Sequence, residues 1–97
     1  MQGQPLAKVS VIIPTQRRPR GLTIAVGSVF RQAGVDPARL ELVVVDNDQT
    51  PSAQARVAEM ARTAPFPVVY VHEHRPGVSH ARNAALAAAT GELIAFL

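Results

Sequence analysis

Short apolar runs alternate along the chain with longer segments whose apolar residues recur every three or four positions. Val9 to Thr15 (VSVIIPT) is a β-branched run with Pro14 near its end, and it reads as a buried strand. Leu22, Ala25, Val26, Val29, Phe30 and Ala33 follow at helical spacing, with Gly34 placed as a C-cap. Leu40 to Val45 (LELVVV) is a second run, closed by Asp46. Thr50-Pro51 has the form of an N-cap followed by the first helical residue, with Ala53, Val57, Met60 and Ala61 on one face. Pro65 and Pro67 lead into a third strand from Val68 to Val71, and Pro76-Gly77 makes a turn. An alanine-rich helix from about Ser79 to Ala89 stops at Thr90-Gly91, and Glu92 to Leu97 (ELIAFL) starts a fourth strand.

The pattern is β-α-β-α-β-α-β, without internal repeats or low-complexity stretches. Strands separated by helices imply an α/β domain with a mostly parallel sheet, right-handed crossovers and helices on both faces. Strands in such a sheet are expected to be buried on both sides, which suits the runs VII and VVV. Residues 1–8 read as an N-terminal tail and 9–97 as one unit. The fourth strand reaches Leu97 with no turn or polar tail, so the chain reads as part of a larger fold. Open α/β sheets bind ligands just beyond the carboxyl ends of their strands, so the loops there are where chemistry is expected.

Composition narrows the classes. The 97 residues are 47% hydrophobic but only 4% aromatic, so aliphatic side chains must fill the core. The absence of cysteine removes disulfide scaffolds, thiolate nucleophiles and cysteine-ligated zinc. The apolar runs fall far short of the ~18 residues that suggest a membrane span, and MQGQPLAKVS lacks the form of a signal peptide. A cytoplasmic setting is expected. Lys+Arg 10 against Asp+Glu 7 gives a net charge of +3, too small to point to nucleic acid but consistent with a small anionic ligand.

Three loops carry candidate chemistry. After strand one, Pro14-Thr15-Gln16-Arg17-Arg18-Pro19-Arg20 sets three arginines at a helix N-terminus, where the macrodipole already disfavours positive charge. A bound phosphate would explain that placement; a solvated arginine-rich loop would also produce it. After strand two, Asp46-Asn47-Asp48 puts carboxylates at the crevice, able to accept from a base N–H, a ribose hydroxyl or a hydrated metal. The same residues suit an Asx turn capping the next helix; Asp48 fits the cap better and Asp46 the ligand. In the third loop, Gly77-Val78-Ser79-His80-Ala81-Arg82-Asn83, Arg82 falls in the first turn of a helix, facing either a phosphate or a neighbouring carboxylate. Gly77 would let the backbone approach a ligand closely. His72 and His74 would share a strand face, yet no third ligand is placed, and the pair reads as a polar strand end.

Missing signatures matter as well. No G-x-G-x-x-G follows strand one, and no phosphate-binding G-x-x-x-x-G-K-[ST] or G-x-S-x-G elbow occurs. Basic residues are not interleaved with aromatics as a single-strand surface requires. A sugar-phosphate nucleotidyltransferase would want a glycine-rich basic loop after strand one, where Gly21 stands alone. A non-enzymatic receiver-like or interaction module would want an acidic pair where Pro14-Thr15 stands.

In series, the segments resemble the N-terminal part of a GT-A glycosyltransferase of family 2. The shared motifs are V-S-V-I-I-P-T at Val9 to Thr15, S-V-x-x-Q at Ser28, Val29 and Gln32, and V-V-D-[DN] at Val44 to Asn47. They continue with G-x-[SA]-x-A-R-N at Gly77, Ser79, Ala81, Arg82 and Asn83. The last, A-x-G-E-x-[IV]-x-F-L, falls at Ala89, Gly91, Glu92, Ile94, Phe96 and Leu97. The resemblance implies a Rossmann-like sheet of order 3-2-1-4 and transfer of a sugar from a nucleoside diphosphate sugar, with inversion, to a glycan, polysaccharide or lipid-linked acceptor. It implies a role in cell-envelope polysaccharide synthesis, in the cytoplasm or at the inner face of the membrane. Pro14, Thr15, Gln16, Arg18, Asp46, Asn47 and Arg82 would surround the nucleotide, with Gln16 where the family often has an aromatic. The family's D-x-D motif, which holds Mg²⁺ or Mn²⁺, would follow directly after Leu97, so no metal site or catalytic residue is expected within these residues. The chain alone is expected to bind nucleotide without transferring sugar, and to self-associate through an unpaired edge of strand four.

Overall fold

A computed structural model describes residues 7–17, 19–30 and 36–97. Four parallel strands, β1 (Val9–Thr15), β2 (Leu40–Asp46), β3 (Val68–His72) and β4 (Leu93–Phe96), form one sheet in the order β3-β2-β1-β4. Three helices connect them: α1 (Pro19–Phe30), α2 (Gln54–Ala61) and α3 (Val78–Ala88). A short 3-10 turn, Pro37–Arg39, precedes β2; the Asp36 side chain accepts from the Ala38 N–H at its start.

Side-chain alternation on the two central strands divides the core into two layers. Ile13, Leu42 and Val44 point to the side covered by α1 and α2, where Leu22, Val26, Val29, Val57 and Phe66 complete the packing. Ile12, Val43 and Val45 point to the other side and meet Ala81 and Ala85 of α3. Burying a Val, Leu or Ile side chain is worth about 1.5–3 kcal/mol, so the first layer carries most of the stability. Small residues on α3 let that helix lie close against the sheet. Because β1, β2 and β3 advance in one direction and β4 returns to the far side of β1, the chain reverses between β1 and β4. Such a reversal opens a crevice at the carboxyl ends of the two strands.

The structure departs from the sequence pattern at several points. Every residue of β2 is buried, as expected, but β3 is half-buried and β4 is exposed along its length. Burial on both sides holds at the centre of the sheet and not at its edges. Helix α2 begins at Gln54 rather than at Pro51. Residues 50–53 form a turn, in which the Ser52 N–H donates to the Thr50 carbonyl, and the Ala53 N–H is taken by the Asp46 carboxylate at 2.8 Å. Gln32, Ala33 and Gly34 lie outside the described residues. Gly91, just past the end of α3, also serves close packing: an added Cβ would stand 2.5 Å from Ser10 Oγ and 2.7 Å from its backbone nitrogen.

Candidate functional site

An open cleft of about 650 Å³ lies at the carboxyl end of the sheet, where the chain reverses between β1 and β4. The end of β1 supplies Pro14 and Thr15, followed by Gln16; Asn47 comes from the tip of β2; α3 contributes Val78, Ala81 and Arg82; Phe96 and Leu97 form the β4 side. Five of the residues expected to surround a nucleotide therefore share one cavity: Pro14, Thr15, Gln16, Asn47 and Arg82. Asp46 does not line it, and Arg18 lies outside the described residues.

Asp46 is fully buried and turned inward. Its Oδ1 accepts from the Asp48 N–H at 3.2 Å; its Oδ2 accepts from the Ala53 N–H and the Tyr70 hydroxyl, at 2.8 and 2.7 Å. No side chain caps α2 at Ala53; Asp46 instead fastens the β2 tip to the turn that precedes α2 and to β3. Burial, and then the hydrogen bond to Asp46, raise the Tyr70 phenol above its ordinary value. Asp48, also buried, accepts from Arg17 Nε at 3.0 Å, and the Ser52 hydroxyl followed by Arg17 holds its carboxyl below the usual range. This ion pair coincides with an unusual backbone: Arg17 has φ 52°, in the left-handed region. Arg17 is therefore partly committed to the β2 tip rather than free for an anion.

Asn47 is tied to the loop after β3. Both hydrogens of its side-chain amide are spent on the Glu73 and Arg75 carbonyls, each at 2.8 Å, so its Oδ1 is the atom left to serve a ligand. That loop is itself braced by Glu73, which binds Arg75 at 2.7 Å and whose carboxyl is pulled down to about 2 by that contact. His72 contacts the Asp48 carbonyl at 2.9 Å, and the His72 and His74 rings lie 6.5 Å apart. Among the described residues, no group of three or more potential ligands could hold a metal ion.

Arg82 stands at the fifth position of α3, just beyond the first turn, and no carboxylate pairs with it among the described residues. Its guanidinium carbon lies 4.7 Å from the centroid of the Phe96 ring. The arrangement leaves the planar cation supported on one face by an aromatic ring inside the cleft. Gly77, just before α3, has φ 112°, which L side chains rarely adopt, and nothing lies within 4 Å of where its Cβ would be. Its backbone conformation, rather than crowding, explains the glycine. The sequence places Phe96 in an apolar strand and in the last of the shared motifs, but does not assign it as a wall of the site.

Residues 10–97 match the family model described as Glycosyl transferase family 2. Succinoglycan biosynthesis protein ExoM of Rhizobium meliloti is 37% identical over 89 residues, which are 92% of this chain and 28% of ExoM. The Escherichia coli UDP-Glc:alpha-D-GlcNAc-diphosphoundecaprenol beta-1,3-glucosyltransferase WfgD is 32% identical over 92% of this chain and 33% of its own length. The chain thus spans about a third of these relatives or less. Among solved structures, the mannosyltransferase PcManGT from Pyrobaculum calidifontis, in complex with GDP-Man and Mn²⁺, superposes with a TM-score of 0.75 at 36% identity. That match covers 91% of this chain and 26% of PcManGT. TarS of S. aureus gives a TM-score of 0.74 at 29% identity, covering 93% of this chain and 16% of TarS.

Proposed function

The chain belongs to glycosyl transferase family 2, and from that premise we propose that its cleft binds the nucleotide of a nucleoside diphosphate sugar within a sugar-transferring enzyme. The observation that carries this reading is the convergence of Pro14, Thr15, Gln16, Asn47 and Arg82 on one cavity at the strand reversal. In this reading the base and ribose lie along Pro14, Thr15 and Gln16, and Asn47 Oδ1 accepts a hydrogen bond from one of them. Asp46 acts from behind, fixing the loop that presents Asn47. The diphosphate lies toward Arg82 and the start of α3, where the N–H groups of the first turn lack helical partners and the helix dipole favours an anion. Arg18, which lies outside the described residues, is proposed as a further contact to the nucleotide.

The sugar acceptor is proposed to be a growing glycan or a lipid-linked saccharide, in keeping with relatives named for succinoglycan synthesis and for a diphosphoundecaprenol substrate. No helix among the described residues is long and apolar enough to cross a membrane. With those same relatives as its support, the reading puts the reaction in the cytoplasm or at the inner face of the membrane. A divalent cation accompanies GDP-Man in the mannosyltransferase relative. The described residues do not assemble a site for one, so none of the contacts above is routed through metal. Binding without transfer is the activity proposed for these 97 residues.

Calorimetric titration with GDP, UDP and the corresponding nucleosides tests the reading. Saturable binding of a diphosphate, tighter than its nucleoside, is expected, with no sugar released from GDP-mannose or UDP-glucose in the presence of Mn²⁺. Absence of saturable binding by either diphosphate would overturn it.

A further inference from the structure

A buried polar cluster lies at the opposite end of the sheet from the cleft. Glu41, on β2, is 3% exposed, and Ser10, beside it on β1, is fully buried. The Ser10 hydroxyl donates to Glu41 Oε2 at 2.7 Å, and the Thr90 N–H donates to the same oxygen at 2.9 Å. The Thr90 hydroxyl donates to Oε1 at 2.9 Å and accepts from Lys8 Nζ at 2.6 Å. The Gly91 N–H closes the cluster on Ser10 Oγ at 2.8 Å, and the Lys8 carbonyl accepts from the Glu92 and Leu93 N–H groups. Gly91 fits because it has no Cβ to strike Ser10. A carboxylate taken out of water this fully is costly unless every lone pair is used, and here the partners are supplied.

This cluster touches the α3–β4 connection, and β4 is the strand in greatest need of it. Strand register is specified firmly where one face of a strand is buried and weakly where neither is. No residue of β4 is buried, and among the described residues it pairs with β1 alone. Its apolar pattern therefore cannot set its register. The contacts of Thr90 and Gly91 can, because they fix the residue from which the pairing Val9 with Leu93 through Ile12 with Phe96 is counted. A slip of one residue would move β4 by about 3.3 Å and turn Phe96 to the opposite face, away from the Arg82 guanidinium.

We propose that Glu41 is a positioning residue for the nucleotide cleft: with Ser10, Thr90 and Gly91 it sets the register of β4 and so places Phe96, two residues and about 7 Å farther along the sheet, under Arg82. The inference rests on the nucleotide-binding reading only for its consequence in affinity. Burial alone would push the Glu41 carboxyl up, but the Thr90 N–H, the two hydroxyls and Lys8 outweigh it and hold the group below its ordinary value, as a carboxylate in this role requires.

The test uses the 97-residue chain with Glu41→Gln, Thr90→Val and Thr90→Ser. Amide hydrogen exchange is followed at Ile94 to Phe96 and at Val69 to Val71, and NMR follows the Arg82 Nε–H signal beside the Phe96 ring. Glu41→Gln and Thr90→Val should accelerate exchange in β4 at least ten-fold while β3 changes little, and should shift the Arg82 signal. Thr90→Ser, which keeps the hydroxyl, should behave as wild type. Unchanged β4 exchange, equal acceleration in β3 and β4, or failure of Thr90→Ser to restore the wild-type pattern would overturn the proposal. If Glu41→Gln does not fold, the two Thr90 variants decide it alone. Affinity for GDP and UDP is measured on the same samples, and a ten-fold loss is expected wherever the Arg82 signal shifts. Wild-type protein that binds neither nucleotide refutes the cleft reading, and the exchange data still judge the register. Loosened β4 with unchanged affinity refutes the link between the two ends of the sheet.

Discussion

The Arg82 guanidinium rests 4.7 Å from the centre of the Phe96 ring, so a cation on α3 and an aromatic on β4 form one wall of the cleft. The ring occupies one face of the cation and leaves its N–H edge to an anion. Hydrogen bonds to charged groups are worth about 1.5–3 kcal/mol. Arg82→Ala should therefore weaken binding of GDP or UDP by roughly ten-fold to a hundred-fold, with little effect on the nucleosides. Equal losses for nucleoside and diphosphate, read by calorimetry, would show that Arg82 does not face the phosphates.

The Asp46 cluster predicts an asymmetry between two substitutions. Tyr70→Phe removes one donor from a carboxylate that keeps two others and should cost about 1 kcal/mol. Asp46→Ala strands the Ala53 and Asp48 N–H groups and the Tyr70 hydroxyl together, and should cost on the order of 3 kcal/mol or more. Urea unfolding midpoints compare them. Similar small losses would mean that the buried carboxylate is not what fixes the β2 tip.

Much of this could be read from residue patterns, and the exceptions share a cause. Strands β1 and β2 match the runs VSVIIPT and LELVVV because β-branched residues buried on both sides leave a continuous apolar signal. Thr50-Pro51 carries the local form of a cap, yet α2 starts only at Gln54, because the Asp46 carboxylate, brought there by the fold, holds the Ala53 N–H in the preceding turn. The same long-range contacts turn Asp46 inward, away from the cleft lining, and engage Arg17 with Asp48. Pairings such as Arg82 with Phe96 or Glu41 with Thr90 join distant segments, and no spacing rule announces them. The position of the cleft was legible, since parallel topology alone puts it at the strand reversal.

Acid stability should follow the Glu73–Arg75 pair. The Glu73 carboxyl lies at about 2 in the folded chain, against an ordinary value of 4.5, because Arg75 hydrogen-bonds to it and pairs with its charge. A depressed carboxylate contributes stability that is complete above the ordinary value and is lost as pH falls toward the folded one. Arg75→Ala should therefore lower stability at pH 7, with a difference that shrinks steadily as pH falls from the ordinary value of 4.5 toward about 2, as thermal unfolding across that range would show. An effect of equal size at both ends would contradict the sign of this linkage.

Strand β4 presents Leu93, Ile94 and Phe96 to solvent beside Leu97, and among the described residues its outer edge is unpaired. An exposed apolar edge invites pairing with another chain. Sedimentation equilibrium should give a weight-average mass that rises with concentration, and Ile94→Lys should suppress the rise. A wild-type chain that stays monomeric at the highest concentration reached would contradict this expectation.

The central claim is that nucleoside diphosphate binds where β1 and β4 diverge. The most direct measurement is amide chemical-shift mapping during titration with GDP and with UDP. Changes concentrated at Thr15, Gln16, Asn47, Ala81 and Arg82, with β3 and the outer face of α2 unaffected, are the predicted result. No change at millimolar nucleotide, or changes centred away from that cleft, would contradict it.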